Sequence, residues 1–183
     1  MPARPYHHGA LRAALLEAAE QILERDGLDQ LSLRAISRAV GVSHAAPAHH
    51  FGDLRGLLTV LATLGFRRFA ISLEAAATSA GDPLRALGRA YVQFARTQPG
   101  LFLLMFHHKV LAGDDADFQQ ATAEAFATLS RVAAVSPLGT DTAVRGRGAL
   151  ASWCLVHGFC MLMLDGRLPS QPGLDLLLEE LLA

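Results

Sequence analysis

Residues 32–51 read SLRAISRAVGVSHAAPAHHF. Ser32 is a good N-cap for LRAISRAV, in which Leu33, Ile36 and Val40 recur at helical spacing and face inward, and Gly41 stops that run after about two turns. Ser43 then caps a second short run, roughly His44 to His50, so two brief helices flank a tight glycine turn. That is helix-turn-helix spacing. Pro47 falls at about the fourth position of the second helix, where its missing N–H is tolerated because the helix has barely begun. Small residues mixed with His44, His49 and His50 do not suit a core helix.

The neighbouring sequence is helical on both sides. LRAALLEAAEQILERD, residues 11–26, puts Leu11, Leu15, Ala18, Ala19, Ile22 and Leu23 on one stripe, and Gly27 ends it. Gly52 and Asp53 break the chain, with Asp53 capping a long helix from Leu54 to about Ala80 that joins two domains. Further on, Gly81-Asp82-Pro83 opens a helix to about Thr97, Gln98-Pro99-Gly100 opens a short one, and Gly113-Asp114 precede one reaching about Val135. A loop at Ser136 to Gly139 leads into a helix from Thr140 to about Asp165, and Pro169 to Gly173 lead into LDLLLEELLA. The expected fold is all-α with about nine helices, divided into residues 1–52 and 53–183.

Composition agrees. The 183 residues are 51% hydrophobic, 18% charged and 7% aromatic, rich in Ala and Leu, which favours helices and permits a sizeable core. The formal net charge of −1 supplies no overall basic excess, so any nucleic-acid or membrane attraction must be local. Cys154 and Cys160, six apart on a helix and so turned roughly 240° from each other, match no zinc or redox spacing and are read as small core residues in a reducing cytosol. No secretory segment opens the chain, and the longest apolar run, Leu150 to Leu164, is shorter than the ~20 residues of a membrane helix. A cytoplasmic protein without membrane attachment is expected.

Residues 11–58 resemble the TetR family of bacterial transcription regulators: an Ala-rich first helix, a Gly, a Ser cap, an aliphatic second helix, Gly-Val-Ser and a closing His-Phe. Trp153, His157 and Gly158 in SWCLVHGF look like the W-x3-H-G signature of one C-terminal ligand-domain subgroup, and TQPGLFLLMF, residues 97–106, is typical of it. The resemblance implies a dimeric repressor that pairs through its last two long helices, binds a small-molecule effector, and inserts two recognition helices into successive major grooves of a pseudo-palindromic double-stranded operator. Two positions depart from the pattern. Ala48 stands where the family usually has Tyr, and Leu54 where it usually has Lys, and both positions commonly touch DNA phosphates.

The DNA contacts expected from helix-turn-helix docking are Ser32, Arg34, Ser43, His44, Ala45, Ala46, His49 and His50, with the first turn of the recognition helix reaching the bases. Helix starts at Ser32 and Ser43 suit phosphates, and Arg34 is a phosphate clamp. The arm Arg4, Tyr6, His7 and His8 is placed to follow the backbone or enter the minor groove. Residues 1–60 carry six Arg against six carboxylates, so this region is formally neutral, and five of the eight His in the chain are available to supplement the Arg footprint. The competing reading is a surface helix with solvated His, in a TetR-like ligand- or protein-binding module that has lost strong DNA affinity. His7-His8 and His107-His108 point to different sides and make no metal site.

In the C-terminal half, Trp153, His157, Met161 and Leu164 share one helix face. A His there is either a satisfied core residue or the polar anchor of an apolar ligand cavity. Phe102, Met105, Phe106, Phe126, Trp153, His157 and Met161 are the expected effector contacts, without a cofactor or metal. The run Leu150 to Leu164 is apolar almost all round and LDLLLEELLA adds a second Leu-rich helix, which is more apolar surface than a small bundle buries alone. No P-loop, G-x-G-x-x-G, H-E-x-x-H or nucleophile elbow is present, so no enzymatic activity is expected.

Overall fold

The computed structural model describes residues 8–78, 81–135, 142–169 and 173–182. Among the described residues there are nine α-helices and no strand: α1 His8–Asp26, α2 Leu33–Val40, α3 Ala45–Phe51, α4 Leu54–Ala77, α5 Pro83–Thr97, α6 Pro99–Met105, α7 Ala116–Val135, α8 Thr142–Leu164 and α9 Gly173–Leu181. The expected all-α architecture is observed. A short 3₁₀ turn at Leu28–Gln30 joins α1 to α2. The arm residues Arg4, Tyr6 and His7, and the Ser136 to Gly139 loop, lie outside the described residues.

The chain divides into two compact units, Met1–Gly65 with Gly100–Gln119, and Phe66–Pro99 with Gln120–Ala183. The first therefore extends past residue 52 and includes α6 from the middle of the sequence. Its core is built from Leu15, Ala19, Ile36, Pro47, Leu57, Leu61, Leu101, Phe102, Leu104 and Met105, all essentially inaccessible to solvent. Polar groups lock the α6 segment into this unit at both ends. The Glu24 carboxylate on α1 accepts the N–H groups of Gly100 and Leu101 at 2.9 and 2.8 Å, satisfying donors that a helix start leaves without intrahelical partners. Beyond α6, Arg55 donates to the Leu111 carbonyl at 2.8 Å and Thr59 Oγ1 accepts from Ala112 N–H at 2.9 Å.

The second unit packs around Phe66, Phe69, Leu87, Tyr91, Phe94, Leu129, Val156, Phe159 and Cys160, all buried. Three arginines on α5 fasten α9 to it: Arg85 donates to the Leu182 carbonyl at 3.1 Å, Arg89 makes a bidentate pair with Glu179 at 2.8 and 2.6 Å, and Arg96 meets Asp175 at 2.9 Å. The ion pairs are exposed, so they set the register of α9 more than they stabilise it.

Two expectations change. Cys160 is buried, and burial pushes its thiol up to about 12, but Cys154 is exposed on α8 and not a core residue, because that face of the apolar helix is uncovered in this chain. Among the described residues one helix, α4, is long and apolar enough by composition to cross a membrane, yet more than half of its most apolar stretch is buried within the protein. Thr59 and Thr63 interrupt its apolar sequence. Their hydroxyls donate to the helix carbonyls of Arg55 and Thr59, which lets them sit buried.

Gly100 approaches α1 so closely that a Cβ would lie 2.8 Å from the Leu23 carbonyl oxygen. Gly100→Ala is therefore expected to destabilise the protein despite the better helix propensity of Ala, and Glu24→Ala to cost about 1–3 kcal/mol by orphaning two partly buried N–H groups. Thermal unfolding of both variants checks this, with Glu24→Gln expected to recover part of the loss.

Candidate nucleic-acid interface and ligand centre

The turn between α2 and α3 is built on one carbonyl. The Ser37 oxygen accepts from both Gly41 and Val42 N–H at 2.9 and 3.0 Å, with Gly41 in the left-handed region at φ 76°, where a Cβ is disfavoured. At the other end of α2, Ser32 has extended backbone and its hydroxyl accepts from Ala35 N–H at 3.1 Å, the expected cap. Inside, Ile36 and Ser37 are fully buried, while Leu33 and Val40 are only half-buried. Ser37 satisfies its hydroxyl by donating to the Leu33 carbonyl at 2.8 Å.

The start of α3 differs from the expectation. The helix begins at Ala45, its N-cap is His44 in a helical conformation, and no side chain caps it, so Ser43 is not the cap. Instead the Ser43 carbonyl accepts from Ala46 N–H at 3.1 Å, a backbone turn that tightens the entry and leaves the Ser43 side chain exposed. Pro47 is the third residue of the helix and is fully buried. Lacking an N–H, it fills the core from a first-turn position that has no intrahelical bond to lose.

Of the expected DNA contacts, Ser32, Arg34, Ser43, His44, Ala45 and His49 are exposed, whereas Ala46 and His50 are half-buried. His50 lies edge-on to His49, ring centroids 5.5 Å apart, and 6.2 Å from the Phe51 ring. The Arg12 guanidinium sits 5.2 Å over Phe51, a cation–π contact that ties α1 to the end of α3. Arg38 and Ala48 are also exposed, and Leu54 is half-buried.

The second unit holds a polar relay in an aromatic setting. The Tyr91 hydroxyl on α5 accepts from the Trp153 indole N–H at 3.1 Å and lies 2.9 Å from His157 Nδ1. Using the Tyr91 proton for Nδ1 places the imidazole proton on Nε2. Phe126 meets Trp153 edge to face at 5.6 Å, and Phe69 meets Tyr91 in the same way at 4.8 Å. Burial raises the Tyr91 hydroxyl far above its ordinary range and lowers His157, so both are neutral near pH 7.

The structure thus brings Phe126, Trp153 and His157 together, with Met161 half-buried one turn beyond His157. Phe102 and Met105 are instead fully buried in the first unit, where Gly65 leaves no room for a Cβ beside the Met105 sulfur, and half-buried Phe106 packs 5.1 Å from Phe102. Tyr91 is the residue whose role the sequence reading missed, although a His on an apolar stripe required such a partner. A shallow cleft of about 400 Å³ between α5 and α9 is rimmed by Arg89, Arg96, Asp175 and Glu179. Among the described residues no His, Cys, Asp and Glu are grouped to hold a metal.

A helix-turn-helix headpiece joined to a larger helical unit defines a class of DNA-binding regulator. Residues 15–61 match the family model described as bacterial regulatory proteins, tetR family, and residues 84–183 match that of the tetracyclin repressor-like C-terminal domain. The chain belongs to the tetR family of transcriptional regulators. It is 27% identical over 157 residues to the uncharacterized HTH-type transcriptional regulator Rv0681 of Mycobacterium tuberculosis, covering 85% of this chain and 71% of that one. Among solved structures it is similar to a protein of unknown function from Rhodococcus sp. RHA1, at TM-score 0.80 and 35% identity over 98% of this chain and 97% of the other. It shares the fold of the TetR family regulator PfmR from Thermus thermophilus, at TM-score 0.63 and 21% identity, covering 91% of this chain and 94% of that one.

Because burial penalises the His157 imidazolium, the folded protein binds fewer protons at this site than the unfolded chain below about pH 6.5. Stability contributed by neutral His157 is present above that pH and is lost as pH falls. Urea unfolding from pH 7.5 to 5 is expected to show a shallower decline in His157→Gln than in the parent. In the parent, the emission of Trp153, the single tryptophan, should change over the same acid range.

Proposed function

We propose that this chain is a dimeric, effector-responsive repressor of transcription, in the cytoplasm, with residues 1–52 serving DNA binding and residues 53–183 serving effector binding and dimerisation. The observation that carries the DNA half of this reading is the exposed face of the α2–α3 pair, where Arg34, Ser43, His44, Ala45 and His49 are accessible around a turn fixed by Gly41. Phosphate contacts fall to Arg34, and base contacts to α3, with Ser32, Ala46 and His50 at the margins of the face.

Effector binding is assigned to the surroundings of Tyr91, Trp153 and His157, which combine aromatic side chains with a cluster of three hydrogen-bonded polar groups, the composition of a small-molecule site. Phe126, edge to face with Trp153, and Met161, one turn beyond His157, are assigned to the same site, whereas Phe102, Met105 and Phe106 belong to the packing of the first unit. An effector relieves repression if it prefers the conformation that binds DNA poorly. Dimerisation is assigned to α8 and α9. Leu150, Leu155, Leu162 and Leu176 are about half exposed or more, with Ala151 and Cys154 also uncovered, an apolar face that a second copy would bury.

Fluorescence anisotropy on labelled DNA flanking the gene, over a salt series with nonspecific competitor, tests the regulatory reading. Tight, competitor-resistant, salt-steep binding is expected, and Arg34→Ala should weaken it across all sequences while reducing the salt slope by about one. Binding equal to the nonspecific control on flanking and genome-selected fragments alike would instead favour a helical module without operator function. For the interface, light scattering at micromolar protein is expected to give a dimer, and Leu155→Glu to give a monomer of unchanged helicity.

A further inference from the structure

Between Arg38 and Asp53 the chain contains no Arg, Lys, Asn, Gln, Asp or Glu, the side chains that read base pairs by paired hydrogen bonds. Base discrimination by α3 must come from other chemistry. Ala45, Ala48 and His49 are exposed along with His44, at offsets of one, four and five from it, and so form a single helix face. Pro47 is buried, Ala46 is half-buried, and half-buried His50 lies beside the Phe51 ring. The outward face therefore offers two methyl groups and two imidazoles.

We propose that α3 selects its operator through thymine methyls packed on Ala45 and Ala48 and through purine N7 atoms accepting from His44 and His49. This inference rests on α3 being the base-reading helix of the headpiece. A methyl-bearing face close to the groove floor distinguishes thymine from cytosine and from the purines by contact with the C5-methyl. An imidazole carries at least one N–H in either tautomer and in the protonated form, whereas its acceptor lone pair exists only in the neutral form. The partner it can always engage is thus an acceptor. N7 projects into the major groove from both guanine and adenine, so an imidazole N–H aimed at it does not separate guanine from adenine, rejects cytosine, whose N4 amino group only donates, and is told from thymine by position, since the thymine O4 acceptor lies elsewhere on the groove edge. The half-site should combine fixed thymines with positions that tolerate either purine. Ser43, also exposed, serves donors and acceptors alike and adds little discrimination.

Single-atom changes in the DNA test this with the full-length protein. Duplexes enriched from a random library provide the operator. Each thymine of a half-site is then replaced by deoxyuridine, removing only the methyl, and each purine by its 7-deaza analogue, removing only N7. Anisotropy competition is expected to show losses of about fourfold per methyl and about fivefold per N7 at the α3 positions, and none in the central spacer. His44→Ala and His49→Ala should each abolish the sensitivity at one purine while leaving the thymine effects intact, and guanine and adenine should exchange there with under twofold change. An enriched operator indifferent to all these replacements, or one that demands guanine alone at the imidazole positions, overturns the proposal while leaving regulation by DNA binding in place. Failure to enrich any sequence overturns both.

Discussion

The helix-turn-helix depends on one backbone oxygen, the Ser37 carbonyl, which takes the N–H groups of both Gly41 and Val42. That double acceptance closes α2 and turns the chain toward α3, and it requires Gly41 to occupy a left-handed conformation. Ser37 cannot be replaced by a larger apolar residue without disturbing the corner, since it is fully buried and its hydroxyl already returns a bond to Leu33. The orientation of His44, Ala45 and His49 follows from this small polar knot, while Ile36 and Pro47 anchor its two helices in the core.

Much of this was legible in residue order. The Ser32 cap, the Gly41 stop and the Asp82-Pro83 start of α5 were readable because each is a local event, decided within a turn of helix. The start of α3 was not. A Ser beside a helical run satisfies the rule for a cap, yet the tight turn formed by its own carbonyl and Ala46 moved the helix start past it. Local rules rank candidates, and the backbone conformation of the turn decides between them.

The polar relay shows the opposite limit. Trp153 and His157 were visible as a pair because they share a helix, but Tyr91 lies 66 residues before His157, and only packing brings its hydroxyl to both. Partial burial among apolar residues favours a hydrogen-bond partner for a His, whereas the identity of that partner is set by tertiary structure. The same reasoning explains Cys154. Sequence hydrophobicity does not reveal which face of an apolar helix its own chain covers, so Cys160 and Cys154 read alike and differ in the fold.

The compact units do not follow chain order, which no local sequence signal reveals. Gly100–Gln119 belongs with Met1–Gly65, although the sequence on either side of it belongs to the other unit. The chain therefore passes between the units at three places, after Gly65, after Pro99 and after Gln119. The first unit thus takes α6 into its own core, with Glu24, Arg55 and Thr59 holding the inserted segment by its backbone groups, so one compact unit is assembled from two separated stretches of chain.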